Sequence, residues 1–141
     1  MRRLAILNMA LGFTLIVIAA SGGAFVALRA TEDYLHQVVK TSWAALLQAS
    51  SHGHTNLFGI LHVVLGLTFP YSKSTPLLDV LKTVGLFCGS FAMGPLLLLR
   101  AASDPPVTLD AVGVVIGLCL SLALAAIIAH AFGLFAKLME R

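Results

Sequence analysis

Four long apolar runs, separated by short polar stretches, make up nearly all of this chain; they cover residues 4–28, 43–69, 77–99 and 109–138. Each is long enough for an α-helix to cross the hydrocarbon core of a bilayer, which takes roughly 20 residues. None shows the strict alternation of a transmembrane strand. A chain in lipid must satisfy its backbone internally, so the pattern predicts an all-α integral membrane four-helix bundle, one four-span domain over residues 1–141.

The first run follows Met1-Arg2-Arg3 and starts like a secretory signal. It is about 25 residues long, against roughly 7–15 for a signal core, and reads as a retained span. Residues 29–41 are polar and predict a loop or short surface helix, with Tyr34 and Trp43 at headgroup level. Pro70 ends the second run, and the short loop 71–75 makes the second and third spans antiparallel neighbours. Pro95 predicts a local kink in the third span. Asp104-Pro105-Pro106 predicts a rigid turn before the fourth.

Composition agrees with lipid as the solvent. The chain is 59% hydrophobic and 11% charged, where soluble domains carry about 25% charged residues. The net charge of +3 comes from residues at the segment ends. Arg2, Arg3, Lys73, Lys82, Lys137 and Arg141 fall on the side of the termini, and Arg29, Lys40 and Arg100 on the other. That bias predicts both termini in the cytoplasm (N-in/C-in) of a bacterial inner membrane. No basic cluster is interleaved with aromatics, so nucleic acid is not an expected partner.

Chemistry concentrates in the second run, where Ser51-His52-Gly53-His54-Thr55-Asn56-Leu57-Phe58-Gly59-Ile60-Leu61-His62 places three histidines in a membrane-spanning segment. Imidazoles at membrane depth mark ligand binding, proton relay or interhelical hydrogen bonds. His52 and His62 stand about 15 Å apart along a helix and cannot share one metal ion, while His54 points nearly opposite to His52. His52, Gly59 and Gly66 recur every seven residues and share a face. Glycines below an imidazole leave room for a flat ring, so the face predicts a haem b site with His52 as metal ligand. His54, His62 and His130 are candidate further ligands, and Gly59 and Gly66 the surface for the ring. Arg29, Lys40 or Arg100 would face the haem carboxylates.

The remaining polar residues have ordinary readings. Asp79 and Lys82, three apart at a helix start, predict an ion pair at the membrane boundary. Gly85 and Gly89, and Gly113, Gly117 and Ser121, predict close helix packing, within the bundle in the first reading and at an oligomer contact in the second. Cys88 and Cys119 lie in apolar runs without a CxxC motif and read as packing residues, a disulfide between neighbouring helices staying open. The absence of a Ser-His-Asp set, a P-loop, an HExxH motif or an inward carboxylate pair argues against hydrolase and NTP-driven activities.

The stretch Ala49-Ser50-Ser51-His52-Gly53-His54-Thr55-Asn56-Leu57-Phe58-Gly59 resembles the start of the second helix in the styrene oxide isomerase family. There a histidine is followed by a leucine five positions on and a glycine seven on; His52, Leu57 and Gly59 match. Length, four spans and the glycines between 85 and 94 are also similar. The resemblance implies a small membrane protein that binds haem b through His52 and assembles as a homo-oligomer, a trimer in that family. Phe58 replaces the family's asparagine, and residues 91–97 lack its third-helix tyrosine. The haem site thus carries over without the groups that position the epoxide. The His52-Gly53-His54 form is also similar to the histidine segments of haem-copper oxidases and nitric oxide reductases.

With one axial histidine the iron keeps an open position, suited to isomerase-like Lewis-acid catalysis or gas binding on a small apolar molecule. With two, the expected role is electron transfer with a redox partner. Two other classes stay open. One is a metal-ion or proton transport component stepping along His52, His54 and His62. The other is a structural accessory subunit of a respiratory membrane complex, in which the histidines only hydrogen-bond.

Overall fold

The computed structural model describes residues 2–36, 42–106, 108 and 110–140, the side chains of Arg2, Tyr34 and Ser42 excepted. The described residues form four helices and no strand: α1 (Arg2–Leu35), α2 (Ser42–Thr68), α3 (Pro76–Ala101) and α4 (Ala111–Leu138). Three of them, α1, α3 and α4, are long and apolar enough to cross a membrane. At 27 residues α2 is equally long, but Ser50, Ser51, His52, His54, Thr55 and Asn56 fall together in its middle and lower its hydropathy.

Helix α1 runs past the expected end of the first span and takes in residues 29–35. Nothing there breaks a helix, and the turns are held locally. Arg29 pairs with Glu32 at 3.1 Å, and Thr31 Oγ1 donates to the Ala27 carbonyl at 3.0 Å. A 3₁₀ turn, Phe69–Tyr71, ends α2 at Pro70. Thr75 caps α3, accepting from Leu78 N–H at 3.3 Å with Pro76 in the first turn. Asp110 caps α4, accepting from Gly113 N–H at 2.7 Å.

The helices form two antiparallel hairpins, α1 on α2 and α3 on α4, with α2 also against α3. The first hairpin closes along a seam of small residues spaced seven apart. Gly66 lies against the Ala5 carbonyl, Gly59 against Gly12, and His52 against the Ala19 carbonyl. A Cβ on Gly59 would stand 2.8 Å from Ile16 Cγ1, and one on Gly66 would stand 2.6 Å from Ala5 O. The face expected to receive a flat ring is thus an interface filled by α1, because heptad-spaced small residues let two antiparallel backbones approach.

In the second hairpin, Gly85 and Gly89 pack on α4 as expected, against Leu122, Ala123 and Ala126. The matching α4 residues differ from the expectation. Gly117 has open space around it and Ser121 is exposed, while Ala123 and Ala126 are buried. Cys88 and Cys119 are free and half-buried.

Pro95 produces a π-helical turn, Ala92–Leu96, inside α3. Proline has no N–H and crowds the carbonyl four residues back, and the wider turn relieves both faults. Leu97 N–H reaches the Ala92 carbonyl five residues back. The Gly94 carbonyl accepts from Ser51 Oγ at 3.1 Å, tying α3 to α2 beside His52.

Candidate ligand-binding cleft at His52

A cleft of about 570 Å³ lies between α1 and α2 beyond the seam, with Leu98 of α3 beside it. That size is within the usual range for small-molecule sites, roughly 300–1,000 Å³. Ile18, Phe25 and Val26 of α1 and Leu98 of α3 form apolar walls. Gln48, Ser51, His52 and Thr55 of α2 form a polar edge, and Arg29 and Asp33 of α1 bring one cation and one carboxyl group to the lining.

His52 enters this edge in one defined tautomer. Its Nδ1–H donates to the Ala19 carbonyl at 2.8 Å, since a carbonyl oxygen can only accept. The lone pair therefore sits on Nε2, which has no hydrogen-bond partner among the described residues. A ligating histidine is commonly held in this way, one ring nitrogen tied to a carbonyl and the other free for the ligand. The ring edge rests on Gly23, where a Cβ would stand 2.8 Å from Nε2 and 2.9 Å from Nδ1. One residue earlier, Gly22 lines the cleft with nothing within 4 Å of its Cβ position. The open small-residue surface beside His52 thus belongs to α1, at Ala19 and Gly22, and not to Gly59 and Gly66. The run Ala19-Ala20-Ser21-Gly22-Gly23-Ala24 carried the signal for it.

The other candidate residues are not brought to the cleft. His54 Nδ1–H turns back on its own helix to the Ser50 carbonyl at 2.8 Å. His62 is fully buried between three helices, with Nδ1 2.8 Å from Asn8 Oδ1 on α1 and Nε2 3.1 Å from Ser90 Oγ on α3. Asn8 continues the network, donating from Nδ2 to the Leu4 carbonyl and to Thr83 Oγ1, each at 2.9 Å. His130 bonds Thr68 Oγ1 at 2.7 Å, about 24 Å along α2 from His52. Among the described residues, His52 alone of the histidines lines the cleft. No three His, Cys, Asp or Glu side chains among them are placed to hold a metal ion by themselves.

The cations expected near the haem carboxylates also divide. Arg29 lines the cleft. Arg100 is engaged elsewhere, paired with Asp110 at 2.6 Å and stacked 5.8 Å from the Trp43 ring, whose Nε1–H donates to Ser103 O at 3.1 Å. Arg100 and the Gly113 amide hold the Asp110 carboxyl below its ordinary range. Lys40 lies outside the described residues.

Haem b can be tested against these groups. It brings four nitrogen ligands of its own and asks of the protein one imidazole, apolar walls and a cation for its carboxylates. Nε2 of His52, the Ile18, Phe25, Val26 and Leu98 walls, and Arg29 fit that demand. The chain matches no protein-family model, no curated protein and no solved structure.

Proposed function

We propose that this protein is a small four-span membrane protein that binds haem b, or a flat apolar ligand of the same class, in the His52 cleft. The observation that carries the reading is the Nδ1–H bond to Ala19 O, which leaves Nε2 of an otherwise anchored imidazole as a lone pair at an apolar cleft. Ser51 and the π-helical turn fix the floor beside it. Gly22 leaves the cleft wall without a side chain, and Arg29 serves a ligand carboxylate in exchange for its exposed pair with Glu32.

Among the described residues, His52 alone of the histidines lines the cleft, which favours one axial ligand over two and an open-site role over electron transfer. Bound there, ferric haem supplies a Lewis-acidic iron with one coordination position for a small molecule. The chain's own part is to hold the ring through His52, exclude water with apolar walls and admit a small apolar partner. The isomerase-like and gas-binding readings both follow from that arrangement.

In this reading α2 is the fourth span. Ser51, Thr55 and His62 are buried and bonded, His54 turns back on its own helix, and Gln48 and His52 face the cleft. The finer assignments, both termini in the cytoplasm of a bacterial inner membrane and assembly as a homo-oligomer, belong to the same proposal. Gly117 and Ser121, turned outward on α4, offer the oligomer a close-packing face.

The test is an absorption spectrum of the detergent-purified chain, oxidised and reduced, for the wild type and His52→Ala. A Soret band in the wild type that is lost in His52→Ala supports the assignment. A colourless wild type after reconstitution with haem, or a band unchanged by His52→Ala, overturns it. A broad spectrum shifted by carbon monoxide supports the open site; sharp reduced bands that carbon monoxide leaves alone would mean two ligands.

A further inference from the structure

A second polar centre lies at the other end of the bundle, around the start of α3. Asp79 and Lys82 are each 1% exposed, and Lys82 Nζ stands 3.4 Å from Asp79 Oδ1. The pair expected at a membrane boundary is therefore inside the protein. The ammonium also donates to Ser74 Oγ at 2.8 Å and Ser72 Oγ at 3.5 Å, so its three N–H groups are all engaged. Asp79 is not: Oδ2 is buried and has no hydrogen-bond partner among the described residues.

His130 of α4 belongs to the same centre. Phe69 packs edge-on against its ring at 5.7 Å and lies 6.0 Å from Lys82 Nζ. Ser72, which accepts from Lys82 Nζ, packs against Gly133 three residues further along α4, and Lys73 N–H donates to the Gly133 carbonyl at 2.9 Å. His130 Nε2 is 2.7 Å from Thr68 Oγ1, and that hydroxyl gives its own proton to the Val64 carbonyl at 2.6 Å. Nε2–H is then the donor, and the lone pair sits on Nδ1. Nδ1 too is buried without a partner among the described residues.

Two orphaned acceptors in one buried centre call for a donor. An anion would add a third set of lone pairs. A metal cation would meet the Lys82 ammonium. A proton satisfies either atom, and burial of ionisable groups at membrane depth is a common mark of proton-handling sites.

We propose that Asp79 and His130 form a buried proton-binding site, independent of the His52 cleft, with Lys82 as its fixed countercharge. At rest the carboxylate and the ammonium cancel and His130 is neutral. One proton added at Asp79 Oδ2 makes a carboxylic acid; passed to His130 Nδ1, it makes an imidazolium and restores the carboxylate. Either way the centre gains one positive charge and no other bond changes.

Among the described residues, the surrounding elements add no competing ionisable group to this centre. Helix α1 contributes Asn8, and α2 contributes Thr68. Lys73 of the loop and Lys137 of α4 turn outward to Glu140 at 2.6 Å and 2.9 Å. Arg3 is exposed.

The test is a pH titration by NMR of the full chain in detergent, with isotope-labelled histidine and aspartate; His130→Gln and Asp79→Asn assign the signals. The proposal expects the Asp79 carboxyl and His130 Nδ1 signals of the wild type to respond at a shared midpoint. It also expects Asp79→Asn to move the His130 midpoint by about one pH unit or more, as removal of an interacting charge does. Wild-type signals that respond separately, or not at all, overturn it, as does a His130 midpoint unmoved by Asp79→Asn. The wild-type reading decides the matter even where Asp79→Asn fails to fold.

Discussion

His52 Nδ1 stands 2.8 Å from the carbonyl oxygen of Ala19 on the neighbouring helix. The bond fixes both the ring's orientation and the nitrogen left over for a ligand. It depends on Gly23, because any Cβ there would meet the imidazole. Gly23→Ala is therefore predicted to push the ring off Ala19 O while leaving the seam below intact. Losing such a support costs metal-centre affinity by about 10–100-fold. A haem titration followed at the Soret band measures it; affinity equal to wild type would show that the ring position is irrelevant to binding.

Gly22 and Gly59 are predicted to behave oppositely. Gly22 faces open space in the cleft wall. Gly22→Leu should fold with a wild-type thermal midpoint and exclude the ligand by filling the cleft. Gly59 is closed in by Gly12 and Ile16. Gly59→Leu should lose stability by about 1–3 kcal/mol, the usual cost of overpacking, yet bind normally in whatever fraction folds. Thermal unfolding and ligand titration on both variants separate a cleft glycine from a seam glycine. Binding lost in Gly59→Leu at full stability would return the ring to the seam face.

His62 and Asn8 meet at 2.8 Å in a fully buried position. His62→Leu leaves Asn8 Oδ1 without its partner, while Asn8 Nδ2 keeps the Leu4 carbonyl and Thr83 Oγ1 and Ser90 Oγ keeps the Leu86 carbonyl. It is predicted to destabilise by about 1–3 kcal/mol, the cost of an unsatisfied buried polar group. Replacing both partners should recover part of that loss, so His62→Leu with Asn8→Leu should be more stable than the sum of the single effects. Denaturant titration in mixed micelles gives the coupling energy. Additive losses would mean that the two side chains do not support each other, and a ligand spectrum altered by His62→Leu would give His62 a place in the site.

The helix count, the turn at Pro70 and the polarity of α2 were all legible in the sequence, because run length and proline chemistry are local. Which helix lies against which face is not local. The seven-residue spacing of His52, Gly59 and Gly66 was visible, but the same spacing in Ala5, Gly12 and Ala19 on α1 decides that the seam is protein and not ligand. Ridge-to-ridge matching of that kind needs two helices read together. The burial of Asp79 and Lys82 was hidden for a related reason. A charged pair at a helix start looks like a boundary feature until Ser72, Ser74 and Phe69 fold back over it.

Glu140 yields the prediction for acid. It lies between Lys137 and Lys73, and their ammonium groups, with Lys137 foremost, hold its carboxyl down at about 2. A carboxylate whose folded value lies below its ordinary 4.5 contributes in full above that ordinary value. It loses the contribution as pH falls through the folded one. Glu140→Gln should therefore lower the thermal midpoint at neutral pH, with the gap to wild type narrowing below pH 4.5 and closing near pH 2. The group is exposed, so the gap is small and should shrink further in high salt. Thermal scans of both proteins across that range, at low and high ionic strength, check it. A gap that widened in acid would mean that the Lys73–Glu140 bridge, which ties the loop after α2 to the end of α4, is not what the carboxylate does for the fold.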